Sequence, residues 1–144
     1  RQLLESRALP DRPLPRPTPE TQDFWDGTLA AELRLQRCQA CDACWLPPQS
    51  FCSTCGGTEI RAVVASGRGR LYSYVISHLP APGFEPPTTI AVVELEEGPR
   101  LLTNLIDVEP DPDELPIDLR VEVVFEKVSE ELALPLFRPA RSSR

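Results

Sequence analysis

The sequence predicts a mostly β protein: a short N-terminal helix, a two-knuckle cysteine ribbon, then a five-stranded barrel. Three observations carry that reading. All five cysteines lie between Arg37 and Gly57, and four of them form two CxxC pairs. From Arg61 onward, short runs rich in β-branched and aromatic residues follow one another, separated by Gly, Pro and Asp. No second long helical pattern competes with them. Five or so short strands in a chain of 144 residues imply a small, closed or nearly closed antiparallel barrel, and an OB-like Greek key suits that length.

Taken in order, residues 1–18 read as a proline-rich linker, with prolines at 10, 13, 15 and 17 and a further one at 19. The chain holds no methionine, so the reading is a piece of a longer protein entered through a linker, with a processed N-terminus as the alternative. Residues 19–60 carry the helix and the ribbon. Thr18-Pro19-Glu20 offers a capping hydroxyl, a first-turn proline and an acid, and Phe24, Trp25, Thr28 and Leu29 then share one face of a helix over about 19–31. Gly27 is the one residue inside it that disfavours helix. The segment ELRLQRC alternates polar and apolar and forms a strand leading into the cysteines.

Residues 61–140 form the barrel. GRGRLYSYVISHL is the first strand, with Gly67 and Gly69 allowing it to bend. TTIAVVELEEGPRLLTNLI is a pair of strands turning at Glu97-Gly98-Pro99, LRVEVVFEKV alternates from Leu119 to Val128, and LALPLFRP is a last strand that Pro135 marks as an edge or bulge. Residues 141–144 are a tail.

Composition excludes several classes. No run of 18 apolar residues and no basic-then-apolar leader is present, which points away from a membrane and toward the cytoplasm. The formal charge of -7, with acids crowded between Asp107 and Glu131, argues against nucleic acid as a partner. A barrel face with Tyr72 and Tyr74 could stack single-stranded bases, but the acidic balance opposes it. Fourteen of the fifteen basic residues are arginine, which with abundant Ala and Pro reflects GC-rich coding.

Cys38 and Cys41 form one CxxC, Cys52 and Cys55 the other, ten residues apart. This is the spacing of a zinc ribbon, in which two knuckles present four thiolates to a tetrahedral metal at about 2.3 Å. Cys44 extends the first pair to CxxCxxC and so also fits a cluster ligand, yet the symmetry of two knuckles favours it as the spare. Zinc, or a single rubredoxin-like iron, is the expected ion. Disulfides suit neither an odd number of cysteines nor a cytosolic setting. Four thiolates close the coordination sphere, so the expected role is structural, with Trp45, Leu46 and Phe51 packed around the metal loop.

Catalytic signals are weak. The one histidine, His78, ends a strand just before LPAPGFEPPTT and has no evident oriented partner. The acids gather in DVEPDPDEL, where proline and charge density point to solvent, and neither a calcium loop nor a phosphate cradle is present. Arg68, Arg70 and Arg100 could meet phosphates, including those of coenzyme A.

The order FWDG, ELRLQRCxxC, PP before the second CxxC, CGG, SGRGRLYSY, PGFEPP and LPLFRP resembles domain-of-unknown-function family 35, which joins a rubredoxin-like zinc ribbon to an OB-fold. The likeness covers about Pro19 to Arg138. It implies Cys38, Cys41, Cys52 and Cys55 as metal ligands, with Cys44 outside the set. It also implies a non-catalytic partner of thiolase-superfamily enzymes acting on acyl-CoA. The variant it suggests is the domain that follows a MaoC-like hydratase in steroid side-chain degradation and binds a lipid-transfer-protein-like aldolase. Contact residues expected on that basis are Trp45, Tyr74, His78 and Phe84, with the loop Leu79 to Thr89 at their centre. Direct acyl-CoA binding as a carrier or sensor is the alternative, and single-stranded nucleic acid a third.

Overall fold

The structure is a computed structural model that describes residues 3–5 and 12–141. The rest of the linker and all of the tail but Arg141 lie outside the described residues. The elements are β1 (Leu3–Leu4), α1 (Gln22–Leu29), β2 (Arg34–Cys38), β3 (Cys44–Trp45), β4 (Ile60–Val64), β5 (Arg68–Ser77), β6 (Thr88–Leu95), β7 (Arg100–Leu105), a 3-10 turn at Pro112–Glu114, β8 (Arg120–Lys127) and β9 (Ala133–Pro139).

Five strands close the barrel. β5 pairs with β6, β6 with β7 and β8 with both β5 and β9, all antiparallel, while β7 meets β9 at one parallel contact, Leu105 opposite Phe137. The circular order β5-β6-β7-β9-β8 is the Greek key of an OB-fold. The parallel contact departs from the all-antiparallel expectation, because a Greek key returns its last strand alongside the third. Inward positions alternate along β6, where Thr89, Ala91, Val93 and Leu95 are buried, and meet Leu71, Val121, Phe125 and Phe137 in the core.

The bend of β5 has two sources. A bulge falls between Leu71 and Ser73, and Gly69 passes so close to β6 that an added Cβ would stand 2.5 Å from the Glu94 carbonyl. The Pro135 carbonyl on β9 accepts a hydrogen bond from Thr103 Oγ1 at 2.9 Å.

The ribbon is a separate three-stranded antiparallel sheet, β3-β2-β4. Ile60–Val64, at the expected boundary between ribbon and barrel, pairs with the ribbon strand β2. The helix is shorter than expected. Thr18 and Thr21 engage each other in a turn, and α1 begins at Gln22 with no side-chain cap. Gly27 has a packing reason: the Arg34 side chain crosses it, and a Cβ there would lie 2.8 Å from that stem. Thr28, fully buried, ties the helix to the barrel, since its hydroxyl accepts from the Ala133 amide at 2.9 Å.

Part of the proline-rich start rests on the barrel. Leu3–Leu4 pairs in parallel with β8 at Phe125 and Glu126. Arg12 donates to buried Glu126 at 3.3 Å and lies over the Phe84 ring at 4.1 Å. No helix among the described residues is long and apolar enough to cross a membrane.

Candidate metal centre and its surroundings

The two CxxC segments fold as near copies of one turn. The Asp42 amide donates to the Cys38 carbonyl at 2.9 Å, and the Gly56 amide to the Cys52 carbonyl at 2.7 Å. Both donors have left-handed backbone, with φ of 68° and 78°. Amides two residues on then point at sulfur: Ala40 to Cys38 and Gly57 to Cys55, each at 3.4 Å. Gly57 is confined for a second reason, because a Cβ would meet the Cys55 and Cys38 sulfurs at 3.3 and 3.4 Å.

This pairing brings Cys38, Cys41, Cys52 and Cys55 together, with all four Sγ atoms within 4.8 Å of one another. Cys38 and Cys55 lie 3.6 Å apart, as do Cys41 and Cys52. A tetrahedron of sulfurs at 2.3 Å from a central ion has edges of about 3.8 Å, so the donor set fits a four-thiolate metal without rearrangement. Cys44 sits outside the group, on β3 opposite Arg37, packed against the main core.

The thiols behave as one coupled acid. Burial resists ionisation of Cys52, yet the amides of Cys55 and Thr54 and the neighbouring thiols bring it down to about 6. The Ala43 amide favours the Cys41 thiolate, but desolvation and the three other cysteines push it up to about 12. Cys55 is also raised: the Gly57 amide favours its thiolate most, but the Cys38 and Cys52 thiols and desolvation together outweigh that help. Four sulfurs this close accept one negative charge readily and resist the next, and a bound cation removes that resistance.

The metal loop is packed differently from expectation in one respect. Leu46 packs against the core and the Trp45 Nε1–H donates to Gln36 Oε1 at 2.7 Å, whereas Phe51 is exposed. The other expected contact residues are dispersed. Tyr74 is half-buried on β5, His78 is exposed with no hydrogen bond or ion pair among the described residues, and Phe84 is held under Arg12. Arg70 and Arg100 both bind Glu94, at 2.6 and 3.2 Å, and the Arg70 hydrogen bond is the main cause holding the Glu94 carboxyl below its usual value of 4.5. Arg100 also stacks on Tyr72 at 3.9 Å.

Sequence reasoning missed a groove of about 580 Å³ assembled from all three modules. Phe24 and Trp25 come from α1, Leu46, Pro47 and Pro48 from the ribbon, and Leu102 and Leu136 from the barrel. The available signal was the pair Leu101-Leu102, since consecutive leucines on a strand must point to opposite faces.

Comparison with known proteins agrees with this anatomy. Residues 25–61 match the rubredoxin-like zinc ribbon domain of ChsH2, and residues 62–126 match its C-terminal OB-fold domain. A DUF35 domain-containing scaffold protein of Methanocaldococcus jannaschii is 34% identical over 66% of this chain and 68% of its own length. The 3-oxo-4,17-pregnadiene-20-carboxyl-CoA hydratase alpha subunit of Mycobacterium tuberculosis is 42% identical over 67% of this chain and 31% of its own length. The chain spans 31 to 40% of the hydratase subunits that it matches. Among solved structures, a chain of an Ltp2-ChsH2(DUF35) aldolase superposes with a TM-score of 0.80 at 37% identity, covering 89% of this chain and 100% of that one. Two knuckles, four converging sulfurs and a Greek-key barrel, in the order those relatives share, make this chain a member of the ChsH2/DUF35 family.

Proposed function

We propose that this chain is a non-catalytic accessory domain that binds and activates a thiolase-superfamily aldolase acting on an acyl-CoA. The reaction assigned to that partner is retro-aldol cleavage of a β-hydroxyacyl-CoA into a carbonyl product and a shorter acyl-CoA, in steroid side-chain breakdown. The observation that carries the proposal is the likeness, over 89% of this chain and 100% of the other, to a chain of an Ltp2-ChsH2(DUF35) aldolase. The steroid assignment rests on the Mycobacterium tuberculosis relative, whose name specifies a pregnadiene-carboxyl-CoA hydratase. The same relative, named a hydratase alpha subunit, supports fusion to, or association with, a hydratase, which the family likeness makes MaoC-like.

In this reading Cys38, Cys41, Cys52 and Cys55 hold zinc, whose role is to fix the ribbon. A four-thiolate ion with no open position supplies no Lewis acid, so acid and base belong to the aldolase. The domain contributes shape: a rigid wall built from ribbon, helix and barrel that orders the partner's acyl-CoA channel.

The test is co-expression with the Ltp2-type aldolase of the same genome, followed by aldol-cleavage assays with and without this chain. The expected result is a stoichiometric complex whose activity is lost without the chain. A chain that stays apart from the aldolase and binds acyl-CoA alone in calorimetry would overturn the proposal.

A further inference from the structure

The outer face of β5-β6-β7 departs from the usual division of a barrel sheet into an apolar inside and a polar outside. Register places Val75, Ile90 and Asn104 in one outward row and Ser73, Val92 and Leu102 in the next. Val75 is 59% exposed and Leu102 71%, and Leu79, just past the end of β5, is 78% exposed.

Leu102 stands where two depressions meet. On one side is the 580 Å³ groove described above, and on the other a recess of about 310 Å³ walled by Leu79, Phe84 and Ile90. Leu102, with Thr103 and Asn104 beside it, lines both depressions and is the exposed apolar side chain between them. Exposed apolar surface of this kind on a soluble domain marks an interaction site.

The two ends of the face differ in charge. At one end Arg70 is held by Glu94 and Asp118 and Arg100 by Glu94, so cations and anions balance, with Arg100 stacked on Tyr72. At the other, β7 runs directly into Asp107 and Glu109, and Asp107 shares a recess with Phe84 and Asn104. A second copy of the chain is a poor occupant, since each carries a formal charge of -7 and the same acidic rim.

We infer that this face, centred on Leu102, is the docking surface for the aldolase, which presents to it an apolar patch with basic side chains beside the acidic segment. The inference rests on the accessory reading and names the surface through which it acts. Residues outside this face, including exposed Arg61 on the ribbon, take no part.

The experiment measures affinity of the full chain for the purified Ltp2-type aldolase by biolayer interferometry, comparing wild type with Leu102→Asp, Leu102→Thr and Arg61→Glu. A central, desolvated apolar anchor is expected to weaken binding by about 30-fold or more when replaced by Asp. Threonine keeps strand propensity and is expected to cost about tenfold at the same site, while Arg61→Glu binds as wild type does. Hydroxyl-radical footprinting of the unmodified complex reads the same surface without mutation, with Tyr72, Leu79 and Leu102 becoming protected from oxidation. If the wild-type chain does not bind the aldolase, the accessory reading fails and this inference with it. If wild type binds but Leu102 variants bind equally and the three side chains stay open to oxidation, the surface is wrong and the accessory reading stands. Loss of a wild-type dimer in Leu102→Asp would make the face a self-association surface and overturn the assignment.

Discussion

Zinc binding to the metal-free chain should expel at least two protons. Metal ligation requires thiolates, and at pH 7 both Cys41, at about 12, and Cys55, raised above its usual value, are thiols, whereas Cys52 at about 6 is already ionised. Protons compete with the metal for the same sulfurs, so affinity is highest at high pH and is lost as pH falls. Each proton released contributes a decade of apparent affinity per pH unit. Moving from pH 7.5 to 6.5 should therefore weaken binding at least about 100-fold. Below about pH 6 the dependence steepens, because Cys52 then takes up a proton as well. Chelator competition across this range gives the slope, and calorimetry in buffers of different ionisation enthalpy counts the protons directly. A slope of one or less would mean that the sulfurs enter the complex already ionised, and the coupled-thiol argument would be refuted.

Further outcomes follow from particular residues. Cys44→Ser should keep one metal per chain because its sulfur lies outside the four-sulfur group, whereas Cys41→Ser should lose it, both read by elemental analysis after dialysis. Glu94 has a depressed pKa, so its stabilisation is present above the usual carboxylate value of 4.5 and is lost as pH falls through the lower folded value. Arg70→Ala removes the main cause, and NMR titration should find the Glu94 carboxyl moved upward. Gly69→Ala forces a Cβ against the Glu94 carbonyl and Val93 and should destabilise the barrel by about 1–3 kcal/mol in urea unfolding, with metal content unchanged.

The legibility of this protein in its sequence differs by element. The metal centre could be read because its geometry is local: two CxxC turns and their following Asp42 and Gly56 set the positions of four sulfurs within short spans. The barrel strands could be read because alternation along 88–95 and 120–127 reports a buried face directly. The strand Ile60–Val64 was not legible as part of the ribbon sheet, because its place there depends on its partner, Arg34–Cys38, and pairing across 22 to 30 residues leaves no local trace. Leu115, 2% exposed inside an otherwise acidic loop, is another such case, since composition described its neighbours and tertiary packing decided its place. The scattered residues Trp45, Tyr74, His78 and Phe84 came from family likeness and chemistry, neither of which reports which strand face a side chain occupies.

The groove beside α1 connects these observations. Its walls are Trp25 from the helix, Leu46 to Pro48 from the ribbon and Leu102 from the barrel, so no module forms it alone. Helix and barrel are joined through Thr28 and the Ala133 amide, and the remaining wall is positioned by β3, whose end at Trp45 lies in the chain between the two cysteine knuckles. A metal that locks both knuckles therefore also locks that wall, and a partner that uses the groove meets a surface with little conformational freedom left to lose. In the proposed complex a closed, chemically inert ion would thus have a functional consequence, a lower entropic cost of docking at a site about which it performs no chemistry.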